Sequence, residues 1–292
     1  MNQEFSDSEI KALISLLDET DEKLSKQIID KIISSGTSAI PFLFDAWENN
    51  LSDIVQERIY FLIDKIQYNE IKINLNNWNS NTSKSILDAW VIITKYQFPA
   101  LNVQSITDYI NRLKYDVWVE LNENQTALEK IKILNHVFFQ IHNLKIENDY
   151  ILIPESYLIN HIIAYSKGSP TAISILYQII AHKLDIPIWG LNYFEYSILC
   201  YLKPDSISKP ITLLKKEDVL FYIVISNRVT VVAADDIEIV MDSINIKTEN
   251  RFFTPCSQNQ VVQKIIIGVQ NAFKNLKIED KATIFEKLLK IL

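Results

Sequence analysis

Ser169-Pro170 opens an almost wholly apolar stretch that runs to Leu184, and directly behind it the hydrophobic period falls from 3.6 towards 2. Ser169 is placed as an N-cap, and Pro170 takes the first helical position, where its missing N–H costs nothing. A helix this largely apolar is expected to be buried. The segments 186–191, 196–202, 219–226 and 229–233 then read as strands, the last three at spacings suited to an antiparallel sheet. A buried helix followed by a small antiparallel sheet predicts an α+β domain.

The remainder reads as helices on either side of that unit. Ser6 and Glu9 form a capping box, with Phe5 and Ile10 as its hydrophobic staple. A second helix starts at about Asp21, carries Leu24, Ile28, Ile29, Ile32 and Ile33 on one face, and stops at Gly36. Pro41 fits the first turn of a third helix, and 51–66 makes a fourth, with Ile54, Val55, Ile59, Leu62, Ile63 and Ile66 as its apolar positions. The spacing of Gly36, Ala39, Ile40, Pro41 and Leu43 resembles the start of a HEAT-type helical pair. After a helix over about 83–96, Pro99 marks a boundary, which divides the chain into a helical region, 1–98, and a domain, 99–292. That domain begins with helices at about 105–121 and 127–142, the second opened by a capping box at Thr126 and Glu129. A loop over 145–154 and a short helix at 155–166 precede Ser169. Helices at about 235–244, 257–275 and 279–291 close the chain.

Composition removes several classes of function. The four glycines, at 36, 168, 190 and 268, are too far apart for a GxGxxG or Walker A loop. Two cysteines supply neither a disulfide framework nor a zinc site of three or four thiolates. A net charge of -7 argues against a general nucleic-acid binder. No run of 18 uncharged apolar residues occurs, and the first residues are too acidic for a signal peptide. The expectation is a cytoplasmic chain with no metal, no cofactor and no membrane or nucleic-acid partner.

Three stretches carry a resemblance. They are 147–160, containing Tyr150, Pro154, Ser156 and Leu158; 167–177, containing Gly168, Pro170, Ser174 and Tyr177; and 181–190, containing Leu184, Pro187 and Gly190. In order and spacing they resemble the SirB-type branch of the transglutaminase-like superfamily. That branch shows N-x-x-x-Y-x-x-P-x-N-S-x-L, then R-x-G-I-P-I-x-L-S-x-L-Y, then A-R-x-L-x-L-P-x-x-G. The segment 219–223, the 253–256 stretch and the closing helices resemble its bacterial members, so the likeness covers roughly 100–292. The superfamily's chemistry is acyl transfer or amide hydrolysis by a Cys-His-Asp triad, with cysteine at the start of a buried helix and its partners on adjacent strands. The resemblance places the nucleophile position at Pro170, the histidine at Tyr196 and the acid at Val224. The branch itself replaces the cysteine by proline, whereas the other two losses belong to this chain. A tyrosine is a poor general base at neutral pH, and a valine cannot orient one. The resemblance therefore implies a catalytically inactive transglutaminase-like protein that acts by binding a protein or peptide.

Other polar groups have a bland reading and a functional one. Ser174 would line a remnant pocket, or bond back to a carbonyl one turn earlier. Cys200 and Cys256 would be reactive thiols, or small buried hydrophobes. The four histidines, His136, His142, His161 and His182, fall on helices, and His182 near a C-terminus is placed to be imidazolium. Asp235, Asp236 and Glu238 suit the first turn of a helix. Trp189, Tyr193, Phe194 and Tyr196 crowd the connection where the superfamily presents its histidine, which suits a protein or peptide contact. The alternative is a hydrolase or acyltransferase using Ser174 or a free cysteine, and a histidine within reach of either in an open cleft would mark it.

Overall fold

The computed structural model describes residues 5–49, 52–147, 152–191, 197–239 and 255–292. The chain divides by packing into two compact units, Met1–Asn77 and Trp78–Leu292. This division lies ahead of Pro99, the break suggested by the sequence. The reason is Trp90, which is fully buried and donates its indole N–H to the Tyr157 carbonyl at 2.8 Å, holding its helix in the second unit.

In the first unit the helices are α1 (Asp7–Ile14), α2 (Glu22–Ser34), α3 (Ile40–Asn49) and the start of α4 (Asp53–Ser80). Both halves of the Ser6–Glu9 capping box form, and Asp21 caps α2. Gly36 follows α2 at φ 68°, a left-handed conformation that glycine adopts without penalty. Ile10, Ile14, Ile28, Ile32, Leu43, Ile59 and Leu62 build the core. Leu24 and Ile54, expected on the inner faces, are exposed.

Helix α4 continues well past Ile66, where the sequence reading ended it. Its second half is rich in asparagine, whose side chain usually competes for backbone hydrogen bonds. Here Asn74 donates to Glu70 Oε1 at 3.0 Å and Asn76 to the Lys72 carbonyl at 2.8 Å, one turn back along the helix. Ile71, Leu75 and Trp78 keep the helical spacing and are buried.

The second unit begins with α5 (Ile86–Gln97), α6 (Val103–Trp118) and α7 (Ala127–His136), capped by Ser85, Asn102 and the Thr126–Glu129 box. A π turn, Val137–Ile141, ends α7, and the His142 amide reaches the Val137 carbonyl at 2.9 Å. The expected loop at 145–154 contains a strand, β1 (Lys145–Ile146), paired in parallel with β2 (Lys167–Gly168). The expected short helix divides into a 3-10 turn, Pro154–Tyr157, and α8 (Ile159–Tyr165).

Helix α9 (Pro170–His182) is capped by Ser169, and every residue from Ala172 to Ala181 is buried. Each large apolar side chain it buries, such as Ile173 or Leu176, contributes about 2 kcal/mol. It packs on β3 (Ile188–Gly190), β4 (Ser197–Leu202) and β5 (Val219–Ile225), and β6 (Val229–Ala233) completes the sheet. Strand order is β3-β4-β5-β6 with every pair antiparallel, as the spacing predicts for the last three. Of the helix expected at 235–244, residues 235–239 lie within the described residues, and of these 237–239 are helical. Helices α10 (Gln258–Asn275) and α11 (Glu279–Leu289) end the chain, joined by the Phe273–Phe285 ring pair at 5.7 Å. Among the described residues, no helix is long and apolar enough to cross a membrane.

Candidate functional site

A helix start laid against the first residues of a strand creates a place where a nucleophile and a base would meet. Here that place joins α9 to β4. Ser169 Oγ is spent on the cap, accepting from the Ala172 amide at 3.2 Å, and Ser169 is fully buried. Pro170 is half-buried and carries no reactive group. Next to it, Ser197 Oγ donates to Thr171 Oγ1 at 3.3 Å. This hydroxyl pair lies beside Pro170, the position that the resemblance aligned with the superfamily's nucleophile. Sequence reasoning missed it, because neither residue stands at a triad position.

Register decides which side chains can face the helix. Ser197 pairs with Ile225 and Ile198 with Val224. Opposite residues share a face, and neighbours along a strand alternate. Val224 therefore shares the face of Ile198, Cys200 and Tyr222, and it packs on their cluster. Ser197, which touches Thr171, has Ile225 on the same face. Neither face supplies an acid or a base, since β3, β4, β5 and β6 contain no histidine and no carboxylate. Tyr193, Phe194 and Tyr196 lie outside the described residues. Trp189 is half-buried, its ring tilted at 57° against the His182 ring with centroids 4.5 Å apart.

The cysteines are small buried hydrophobes. Cys200 and Cys256 are free and fully buried. Burial, joined by the Cys256 charge, pushes the Cys200 thiol far above its ordinary value. Burial pushes Cys256 up to about 11, against the opposing charge of Lys264. Cys200 pairs across the sheet with Trp189 on one side of β3, whereas the Cys256 amide meets the Gly190 carbonyl at 2.6 Å on the other. Ser174 takes the back-bonded reading: its hydroxyl donates to the Thr171 carbonyl at 2.8 Å, three residues earlier. Among the described residues no hydrogen bond joins Ser174, Cys200 or Cys256 to a histidine.

The end of β3 is fastened by groups that the sequence did not single out. Gln178 on α9 accepts from the Gly190 amide at 3.1 Å. Lys264 on α10 is buried, and its ammonium reaches the Leu191 carbonyl. Burial lowers the Lys264 pKa, and Cys256 opposes that shift. In sequence Lys264 looks like an ordinary surface lysine of an amphipathic helix, so only the packing reveals it.

The histidines also resolve. His182 Nε2 bonds to the Ile188 carbonyl at 2.7 Å, and burial lowers its pKa despite that bond. This corrects the imidazolium expected from the helix C-terminus, because desolvation outweighs the dipole. His136 meets Gln140, and His142 meets Asp116, each at 2.7 Å. His161 lies 3.4 Å from the buried carboxylate of Glu147. Asp235 and Asp236 occupy a turn before Ile237, and Glu238 pairs with Lys216. Among the described residues, no three His, Cys, Asp or Glu side chains gather as a metal site.

A family model described as the transglutaminase-like superfamily (Transglut_core2) matches residues 104–266. No curated protein and no solved structure matches the chain.

Proposed function

Because the chain belongs to the transglutaminase-like superfamily, we propose that it is a catalytically inactive member, of the SirB-type branch, that works in the cytoplasm by binding a protein or peptide. The observation that supports this reading is the chemistry at the start of α9 and on the sheet beside it. Pro170 opens α9, a Thr171–Ser197 hydroxyl pair lies beside it, and the four strands of the sheet bear neither base nor acid. A hydroxyl without a base is not a competent nucleophile at neutral pH. The thiols do not replace it, since both are buried and their pKa values are raised.

Binding is the use that such a surface retains. Half-buried Trp189 and the aromatic residues that follow it in sequence, Tyr193, Phe194 and Tyr196, have the composition of an interface anchor. The helical region ahead of the domain, with its HEAT-like pattern, offers a second surface for the same kind of partner. The test uses partners captured by the full chain from its own cytoplasm, compared with Thr171→Arg and Trp189→Ala variants. A partner lost from both variants but kept by a surface control such as Lys183→Ala is the expected result. An unchanged partner set in both variants would remove the binding surface from this region.

A further inference from the structure

A second polar site lies on the other side of β2 in sequence, between α8 and the turn that precedes it. Glu147 follows β1 and is buried, and its Oε1 accepts from the Lys167 ammonium at 2.8 Å. Its Oε2 lies 3.4 Å from His161 Nε2, and the His161 ring packs on Tyr165 at 4.9 Å. Burial works to raise the Glu147 carboxyl, but hydrogen bonds from Lys167 and Ser156 and the charges of His161 and Lys167 together hold it below its ordinary value. The carboxylate is therefore ionised, and it fixes Lys167 from the inner side.

That cluster borders a recess of about 320 Å³. Phe98, Ile153, Ala164 and Tyr165 give it apolar walls, and Glu155, Asn160, His161 and Lys167 give it polar ones. Neither Pro170 nor Val224 lines it. The volume lies at the low end for small-molecule sites and admits one residue-sized ligand. Its lining carries one carboxylate and one ammonium, so a ligand with both charges matches it better than one with either alone.

We propose that this recess binds a free apolar α-amino acid. Glu155 takes the ammonium, Lys167 and Asn160 take the carboxylate, and Phe98, Ile153 and Tyr165 receive the side chain. Glu147 and His161 are positioning residues that hold Lys167 and the floor of the recess in place. This site does not depend on the binding surface argued above.

The test is titration calorimetry of the full chain with L-phenylalanine, 3-phenylpropionate and 2-phenylethylamine. The two analogues lack the ammonium and the carboxylate respectively. The expected result is a phenylalanine Kd of about 1 mM or tighter, with each analogue about tenfold weaker or worse. Glu155→Gln removes the preference over phenylpropionate, and Lys167→Met removes the preference over phenylethylamine. Both side chains are at least partly exposed, but Lys167→Met also takes the partner of buried Glu147, so circular dichroism matching wild type and retained phenylethylamine binding are its controls. No phenylalanine binding at about 10 mM, equal affinity for all three compounds, or binding untouched by both variants would overturn the proposal. Any of these would leave the Glu147 cluster as a fastening between β1, β2 and α8 alone.

Discussion

At the scale of single residues, the polar groups in this chain are spent on structure wherever their partners are visible. Ser169 caps α9, Ser174 bonds back within it, and Gln178 and Lys264 hold the end of β3. Asp218 is the strongest case. Its carboxylate accepts from Lys209, from Ser206 at 2.7 Å and from the Lys215 amide at 2.9 Å, tying the 203–218 connection together ahead of β5. The Lys209 bond, then those of Ser206 and Lys215, hold its pKa far below the ordinary aspartate value. A depressed folded-state value stabilises the native state above the unfolded value of about 3.9, and that gain is lost as pH falls below it. Asp218→Asn is expected to cost about 1–2 kcal/mol at pH 7. In urea titrations the difference from wild type should shrink steadily below pH 4. A constant difference down to the acid limit would contradict the linkage.

Elements follow local rules where the rules are strong. The caps at Ser6, Asp21, Thr126, Ser169 and Ser257 all form, because a short side chain one turn ahead of an orphan amide is a local event. Helix α10 adds a constraint that no cap reveals. A Cβ at Gly268 would stand 2.3 Å from the Tyr157 ring, so α10 lies directly on the 3-10 turn before α8. Alanine gains about 1 kcal/mol of helix propensity over glycine, but displacing a packed ring costs about 1–3 kcal/mol. Gly268→Ala is therefore expected to lower Tm, and the double variant Gly268→Ala/Tyr157→Leu to recover part of the loss. A raised Tm in the single variant would show that the ring moves aside freely.

The same scale explains what the sequence hid. Two-residue strands such as β1 and β2 have no period to read. The second half of α4 was obscured by its asparagines, although Ile71, Leu75 and Trp78 carried the signal. The Thr171–Ser197 and Glu147–His161 contacts join residues 26 and 14 apart along the chain, through packing rather than pattern. By contrast α9 and the sheet were legible, because a mostly apolar helix and a change of period report burial directly.

On the scale of the whole molecule, the chain belongs to the transglutaminase-like superfamily, and the proposal is that it lacks the groups that give the superfamily its chemistry. Its helix start is proline, its sheet carries no base, and its thiols are sealed in the core. The central claim is this separation of fold from catalysis. It is tested most directly by amine incorporation and amide hydrolysis, assayed with the full chain from pH 6 to 9 and compared with a Cys200→Ser/Cys256→Ser variant. No turnover above background is expected in either protein. Turnover by the wild type that disappears in the variant would contradict it.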